Sequence, residues 1–224
     1  KMQGDVYHFL PIQTSFGGYI FGQNEDGSWN PEDVGLDSPG SIAAAQWMGD
    51  YLDEDLQPRG ISGDQMIDWF EAGKSAMTIT GPWFLNRIRE SGIPFAFSDL
   101  PTQEVPGQPF LGVGSFMVSA FSKEPLLAQI FLSEFVASEE VFQSMYEVEQ
   151  RVYAYAPFMD AVEDADLAAI GQAGVNGVPM PVIPEMNAVW SAWNNALTLI
   201  HQGSETPEAA FTTAAEQNRT ALEE

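Results

Sequence analysis

Three tryptophans stand where a flat ring can either meet a ligand or fill a core. Trp83 closes a Gly81-Pro82-Trp83 turn directly after the apolar run Ala76-Met77-Thr78-Ile79-Thr80. That run reads as a buried strand, which puts Trp83 at a strand C-terminal end, where open α/β sheets form their ligand crevice. The competing reading is a core ring tucked under the loop. Trp190 and Trp193 share a helical stripe with Leu197 at i, i+3 and i+7. Trp193 is assigned to the core, whereas Trp190 can serve the core or an exposed edge.

Other chemistries lack their residues. The chain has no cysteine, which removes disulfides, thiol nucleophiles, zinc ribbons and iron–sulfur clusters. The two histidines, His8 and His201, have no partner at metal-ligand spacing, and no H-E-x-x-H, P-loop or G-x-S-x-G occurs. His8 reads as a strand or surface residue. His201, near a helix C-terminus, favours the helix dipole as an imidazolium. The cluster Asp50, Asp53, Glu54 and Asp55 lacks the glycine and spacing of a calcium loop and reads as a solvated helix end. Asn218-Arg219-Thr220 matches a glycosylation acceptor by chance, inside a predicted helix. No metal site and no cofactor are expected.

Composition narrows the class further. The 224 residues are 45% hydrophobic and 12% aromatic, enough for a folded core without staples. Thirty-two acidic residues against 8 basic ones leave a net charge of −24, a surface that repels nucleic acid and anionic lipid. No apolar run reaches the roughly 20 residues of a membrane span. The opening Lys1-Met2-Gln3-Gly4-Asp5 carries no signal-peptide h-region and reads as a processed chain.

Asn24-Glu25-Asp26-Gly27, between Tyr19-Ile20-Phe21 and Trp29, predicts a hairpin turn. Ser38-Pro39 predicts a capped helix carrying Ile42, Ala45, Met48 and Leu52. Ser62-Gly63-Asp64-Gln65 is a capping box opening a helix that stops at Gly73. The strand at 76–80, a helix through Arg89 and a strand from Ile93 to Leu100 give β-α-β spacing and predict a largely parallel sheet. Phe110 to Ala120 reads as extended. Helices are predicted at 123–137, at 139–147 behind Ser138, near 165–173, from Glu185 to Gln202, and from Thr206-Pro207 to the C-terminus.

In this order, Phe16-Gly17-Gly18-Tyr19, Asp33-Val34-Gly35-Leu36-Asp37, the stretch from Phe70 to Trp83 and Met180-Pro181-Val182-Ile183-Pro184-Glu185-Met186 followed by Trp190 carry a likeness along the whole chain. They resemble the maltose/maltodextrin-binding protein family, the extracellular solute-binding proteins (family 1) of ABC sugar importers. The resemblance implies an α/β periplasmic-binding-protein-like (class II) two-lobe fold. It places residues 1–113 and 164–224 in the C-terminal lobe and 114–163 in an incomplete returning segment of the N-terminal lobe, with the family's opening segment absent.

The resemblance also implies a role: non-catalytic capture of a maltose/maltodextrin-class oligosaccharide outside the cytoplasm, in periplasm or at the cell surface with a lipid anchor, for delivery to ABC permease subunits. Sugars need flat apolar faces for their C–H surfaces and planar polar groups for their hydroxyls. By resemblance Trp83 and Trp190 stack on sugar. Tyr7 stacks or donates its hydroxyl, and Asp5 accepts from sugar hydroxyls, in a variant of a Glu-Pro-Tyr element. Asn194, where relatives carry an arginine, is a further polar contact. The alternatives are a solute-binding protein for another small ligand, or a glycoside hydrolase, which needs facing carboxylates about 5–9 Å apart. The segment 114–163, with Phe116, Leu126, Leu127, Ile130, Phe131 and Phe135, is expected to bare an apolar face that the absent segment or a second copy would cover.

Charge of one sign also fits a salt-tolerant source. Screening relieves self-repulsion, so the melting temperature should rise in molar sodium chloride. A flat response would remove that expectation.

Overall fold

Most helices begin where a side chain satisfies the free N–H groups of a first turn. The computed structural model describes residues 4–222, so the expectations for residues 1–3 and for the last helix over 223–224 lie outside it. Asp5 accepts the His8 N–H and opens α1 (Val6–Ser15). A hairpin follows, β1 (Phe21–Gln23) against β2 (Trp29–Val34). Its turn is held by the Asp26 carboxylate on the Ser28 N–H at 2.9 Å, with Gly27 at φ +81°. Ser38 caps α2 (Pro39–Asp53), and Ser62 and Gln65 complete the capping box of α3 (Gly63–Glu71). A single 3-10 turn (Pro82–Phe84) leads into α4 (Leu85–Ser91). Then come β3 (Phe110–Leu111), α5 (Pro125–Ile130) running on as a π-helical turn (Phe131–Val136), and α6 (Glu139–Val148) behind Ser138. The chain continues through α7 (Ala156–Met159), α8 (Ala165–Ala173), β4 (Val178–Pro179), α9 (Met186–Gln202) and α10 (Pro207–Ala221), the last capped by Thr206.

Three expectations need correction. Residues 76–80 and 93–100 are not strands, and of the extended segment 110–120 only Phe110–Leu111 pairs. A strand exists through its ladder, and among the described residues nothing pairs with 76–80; Met77 is 82% exposed. The sheets are accordingly two pairs, β1–β2 antiparallel and β3–β4 parallel. The third correction is His8, read as a strand or surface residue, which lies in helix α1. Pro11 inside α1 removes one N–H donor from the helix.

The described chain divides into two compact units. The first comprises residues to Ile79, 99–111 and those from Gly174 onward. Its core lies among α1, α2, α9 and α10, with Phe9, Leu36, Leu52, Trp193, Leu197 and Phe211 fully buried. A polar knot crosses that core. The buried Gln13 amide donates to the Tyr19 carbonyl (3.1 Å) and to Ser41 Oγ (2.9 Å), and Ser41 Oγ in turn donates to the Gly35 carbonyl (2.7 Å). Arg59 donates to the Ile200 and His201 carbonyls at the end of α9 (3.1 and 2.9 Å). His201 lies in the last turn of α9, as expected, and is buried there, with Nδ1 2.8 Å from the Leu197 carbonyl.

The second unit, residues 80–98 and 112–173, is organised around one cation. The Arg89 guanidinium meets both oxygens of Asp164 (2.8 and 3.0 Å), Asp166 at 2.9 Å, and Gln150. Asp164 also accepts the Leu167 N–H and the Tyr146 hydroxyl (3.0 Å). Beside this clamp, Phe142 stacks on Tyr155 with centroids 4.6 Å apart, and Phe158 is buried against both Phe142 and Tyr146. The apolar face expected between 114 and 163 is present and exposed, including Phe116, Leu126 and Phe135.

Burial opposes ionisation of Asp164, but hydrogen bonds from Arg89, Leu167 N–H and Tyr146 outweigh it and hold its pKa below the usual 3.8. A folded pKa below the unfolded one gives stability that is complete above pH 3.8 and is lost as pH falls through the lower, folded value. Amide exchange of 139–173 should therefore accelerate in that acid window. Asp164→Asn should cost about 1–3 kcal/mol at neutral pH, read as a lower denaturation midpoint, and should flatten the acid response.

Candidate functional site

The middle of helix α9 passes close to the start of α1. Gly4, at φ +69°, lies so close to α9 that a Cβ there would press on Thr198 Oγ1 and come within 3.3 Å of the Asn194 carbonyl. This approach sets Tyr7, in the first turn of α1, near Trp190 of α9. Phe110 of β3 fills the space between them: ring centroids are 5.3 Å from Tyr7 and 5.5 Å from Trp190. Trp190 also stacks on Trp193 at 6.1 Å, with planes 26° apart. These spacings lie within the range of favourable aromatic pairs. Trp193 is completely buried, as expected, while Tyr7 and Trp190 are partly buried against the core and keep a share of their rings at the surface.

Polar groups at this wall are tied to the backbone. Asp5 is buried, its carboxylate accepting the His8 N–H at 3.2 Å and lying 2.6 Å from His8 Nδ1. The side chain expected to reach sugar hydroxyls thus spends its oxygens on the cap of α1. Burial, then the neighbouring Asp5 charge, pushes the Tyr7 hydroxyl above its ordinary pKa, so it remains a neutral donor and acceptor. Asn194 sits one turn beyond Trp190 and donates from Nδ2 to the Trp190 carbonyl at 2.7 Å, while its own carbonyl accepts from Thr198 Oγ1 at 2.8 Å.

Trp83 belongs to the second unit. It stands in the 3-10 turn before α4 and is 39% exposed, with its indole laid so closely over Gly81 that a Cβ there would collide with the ring. Gly81 is therefore a packing requirement of the Trp83 ring, and that ring is not a core residue. Phe110 and His8 were missed in the sequence. Phe110 carries no periodic signal, because a two-residue strand is too short to show one. Among the described residues no group of three or more metal-ligating side chains comes together.

Comparison with known proteins decides the family. A profile described as bacterial extracellular solute-binding protein matches residues 1–173. The chain belongs to that family. It is 34% identical over 220 residues to a galactooligosaccharide-binding protein of Bacillus subtilis (strain 168), covering 94% of this chain and 52% of that protein. To the maltodextrin-binding protein MdxE of the same organism it is 28% identical, covering 84% of this chain and 46% of the relative. Among solved structures, a cyclo/maltodextrin-binding protein complexed with maltotetraose superposes with a TM-score of 0.83 at 27% identity, over 98% of this chain and 58% of that one. The chain thus spans about half the length of the curated relatives it matches. Its fold is the α/β two-lobe fold of periplasmic-binding-protein type, with one near-complete lobe and part of the other. Family members bind solutes without catalysis, and this member is extracytoplasmic. No helix among the described residues is long and apolar enough to cross a membrane.

The two α9 tryptophans should separate on mutation. Trp193→Ala should cost about 3–5 kcal/mol of stability through the cavity it leaves. Trp190→Ala should cost clearly less, and paired denaturant titrations measure both.

Proposed function

We propose that this protein is the oligosaccharide-binding component of an ABC sugar importer, capturing its ligand reversibly and handing it to the permease subunits. The observation that carries this reading is the braced aromatic wall of Tyr7 and Trp190. It offers flat, partly exposed rings whose orientation is held by a third ring behind them. A pyranose presents a C–H face of matching shape, and the Tyr7 hydroxyl and Asn194 supply hydrogen-bonding partners beside it. Asp5 contributes by holding the first turn of α1, and so Tyr7, in place. Trp83, with its exposed ring and rigid Gly-Pro setting, is a further stacking residue.

The ligand is an oligosaccharide of the maltodextrin class. This is supported by the similarity to MdxE and to the structure holding maltotetraose. A second reading, galactooligosaccharide, is favoured by the higher identity to the galactooligosaccharide-binding relative. A glycoside hydrolase is disfavoured because Asp5, the carboxylate whose charge acts on Tyr7, is committed to a helix cap and His8.

Calorimetric titration with maltotetraose and with a galactooligosaccharide tests the proposal and separates the two ligands. Trp190→Ala, Tyr7→Ala and Trp83→Ala should each weaken binding by about 1–3 kcal/mol, roughly 5- to 150-fold. Binding of neither sugar, or binding indifferent to all three substitutions, would overturn it.

A further inference from the structure

We propose that Phe110 is the positioning residue that sets the spacing and tilt of Tyr7 and Trp190, and thereby the affinity for the oligosaccharide; this rests on the binding role proposed above. Phe110 is only 6% exposed, so it does not itself present a face to a ligand. Its ring touches both wall residues, tilted 37° to Tyr7 and 53° to Trp190. Tyr7 and Trp190 come from separate helices, α1 and α9, and the ring of Phe110 is the shared surface on which both lean.

The backbone beneath Phe110 is held from two sides, more tightly than a core filler requires. On the α1 side, Thr14 Oγ1 accepts the Gln108 N–H at 2.8 Å. Gly107 lies so close that a Cβ would press on the carbonyl oxygens of Pro11 and Pro101, at 2.6 and 2.8 Å. On the other side, the Val178 N–H donates to the Pro109 carbonyl at 2.9 Å, and β4 pairs Phe110 with Val178. Gly177 permits that approach, because a Cβ there would meet the Gly174 carbonyl at 2.9 Å and the Pro109 carbonyl at 3.4 Å. Two glycines, a buried hydroxyl and a two-residue parallel pair fix where one ring stands. An aliphatic side chain of similar size fills the same volume but offers no ring faces and edges to orient two aromatic neighbours.

The test compares Phe110→Leu and Phe110→Tyr with Trp190→Ala and the double variant Phe110→Leu/Trp190→Ala, in the protein as the cell makes it. Phe110→Leu should keep its far-ultraviolet circular dichroism and lose near-ultraviolet aromatic signal without sugar. It should bind maltotetraose or the galactooligosaccharide about tenfold more weakly, with Phe110→Tyr restoring most of the affinity. If Phe110 acts through the wall, the double variant binds little more weakly than Trp190→Ala alone. Unchanged affinity in Phe110→Leu, or losses that simply add, would overturn the proposal. Should Phe110→Leu not fold, Phe110→Met is read in the same way, and unfolding of both would make Phe110 a core residue and refute the positioning role. If Tyr7→Ala and Trp190→Ala leave sugar binding intact, it is the binding reading that fails. The near-ultraviolet comparison then still decides whether Phe110 orders the rings.

Discussion

An α-helix advances about 100° per residue, so residues three apart on α9 share one face but are offset on it by about 60°. Trp193 points straight into the core, packed with Leu197 and Ile200, while Trp190 is rotated to the margin of the buried stripe. Every feature of the aromatic wall follows from that offset. Because Trp193 is anchored, Trp190 has a fixed ring to stack on. Because α9 is held from beneath by α10 and α2, its outer edge can be met by α1, and Gly4 lets the two backbones come close enough for Tyr7 to join. Core and wall are one construction, so a change in α9 packing must alter both.

Charge imposes a second economy. With 8 basic residues against 32 acidic ones, most carboxylates have no cation to pair with and remain solvated. Several of the arginines are placed where they join segments far apart in sequence. Arg59 satisfies the terminal carbonyls of α9, and Arg89 gathers Asp164, Asp166 and Gln150. Arg219 binds Asp37 through two hydrogen bonds of 2.7 Å and donates to the Val34 carbonyl, fastening α10 to the end of the hairpin. The Asp37 carboxyl is held below its ordinary pKa, chiefly by that pairing with Arg219. Isolated surface pairs contribute little; these guanidiniums matter because they also close helix ends and loops.

Local chemistry was readable directly. Ser38, Ser62, Ser138 and Thr206 each accept the N–H three residues on, because a cap depends on its own first turn and on nothing distant. The hairpin around Asn24–Gly27 and the burial of Trp193 were readable for the same reason: a turn and a helical stripe are properties of neighbouring residues. Segment 76–80 shows the opposite case. Its composition is that of a strand, yet a strand is completed by a neighbour, and no strand beside it is present among the described residues.

The sequence by itself therefore determined the family, the caps, the helical stripes and the aromatic residue types available for binding a sugar. The tertiary structure alone decided how those residues are used. It turned Asp5 inward as the cap of α1, since a buried helix start must satisfy its N–H groups. It also chose Phe110 as the ring between Tyr7 and Trp190, since that choice depends on three distant segments meeting through Gly107, Thr14 and Gly177. Pairings of this kind leave no period or motif in a chain, because the distances that define them exist only after folding.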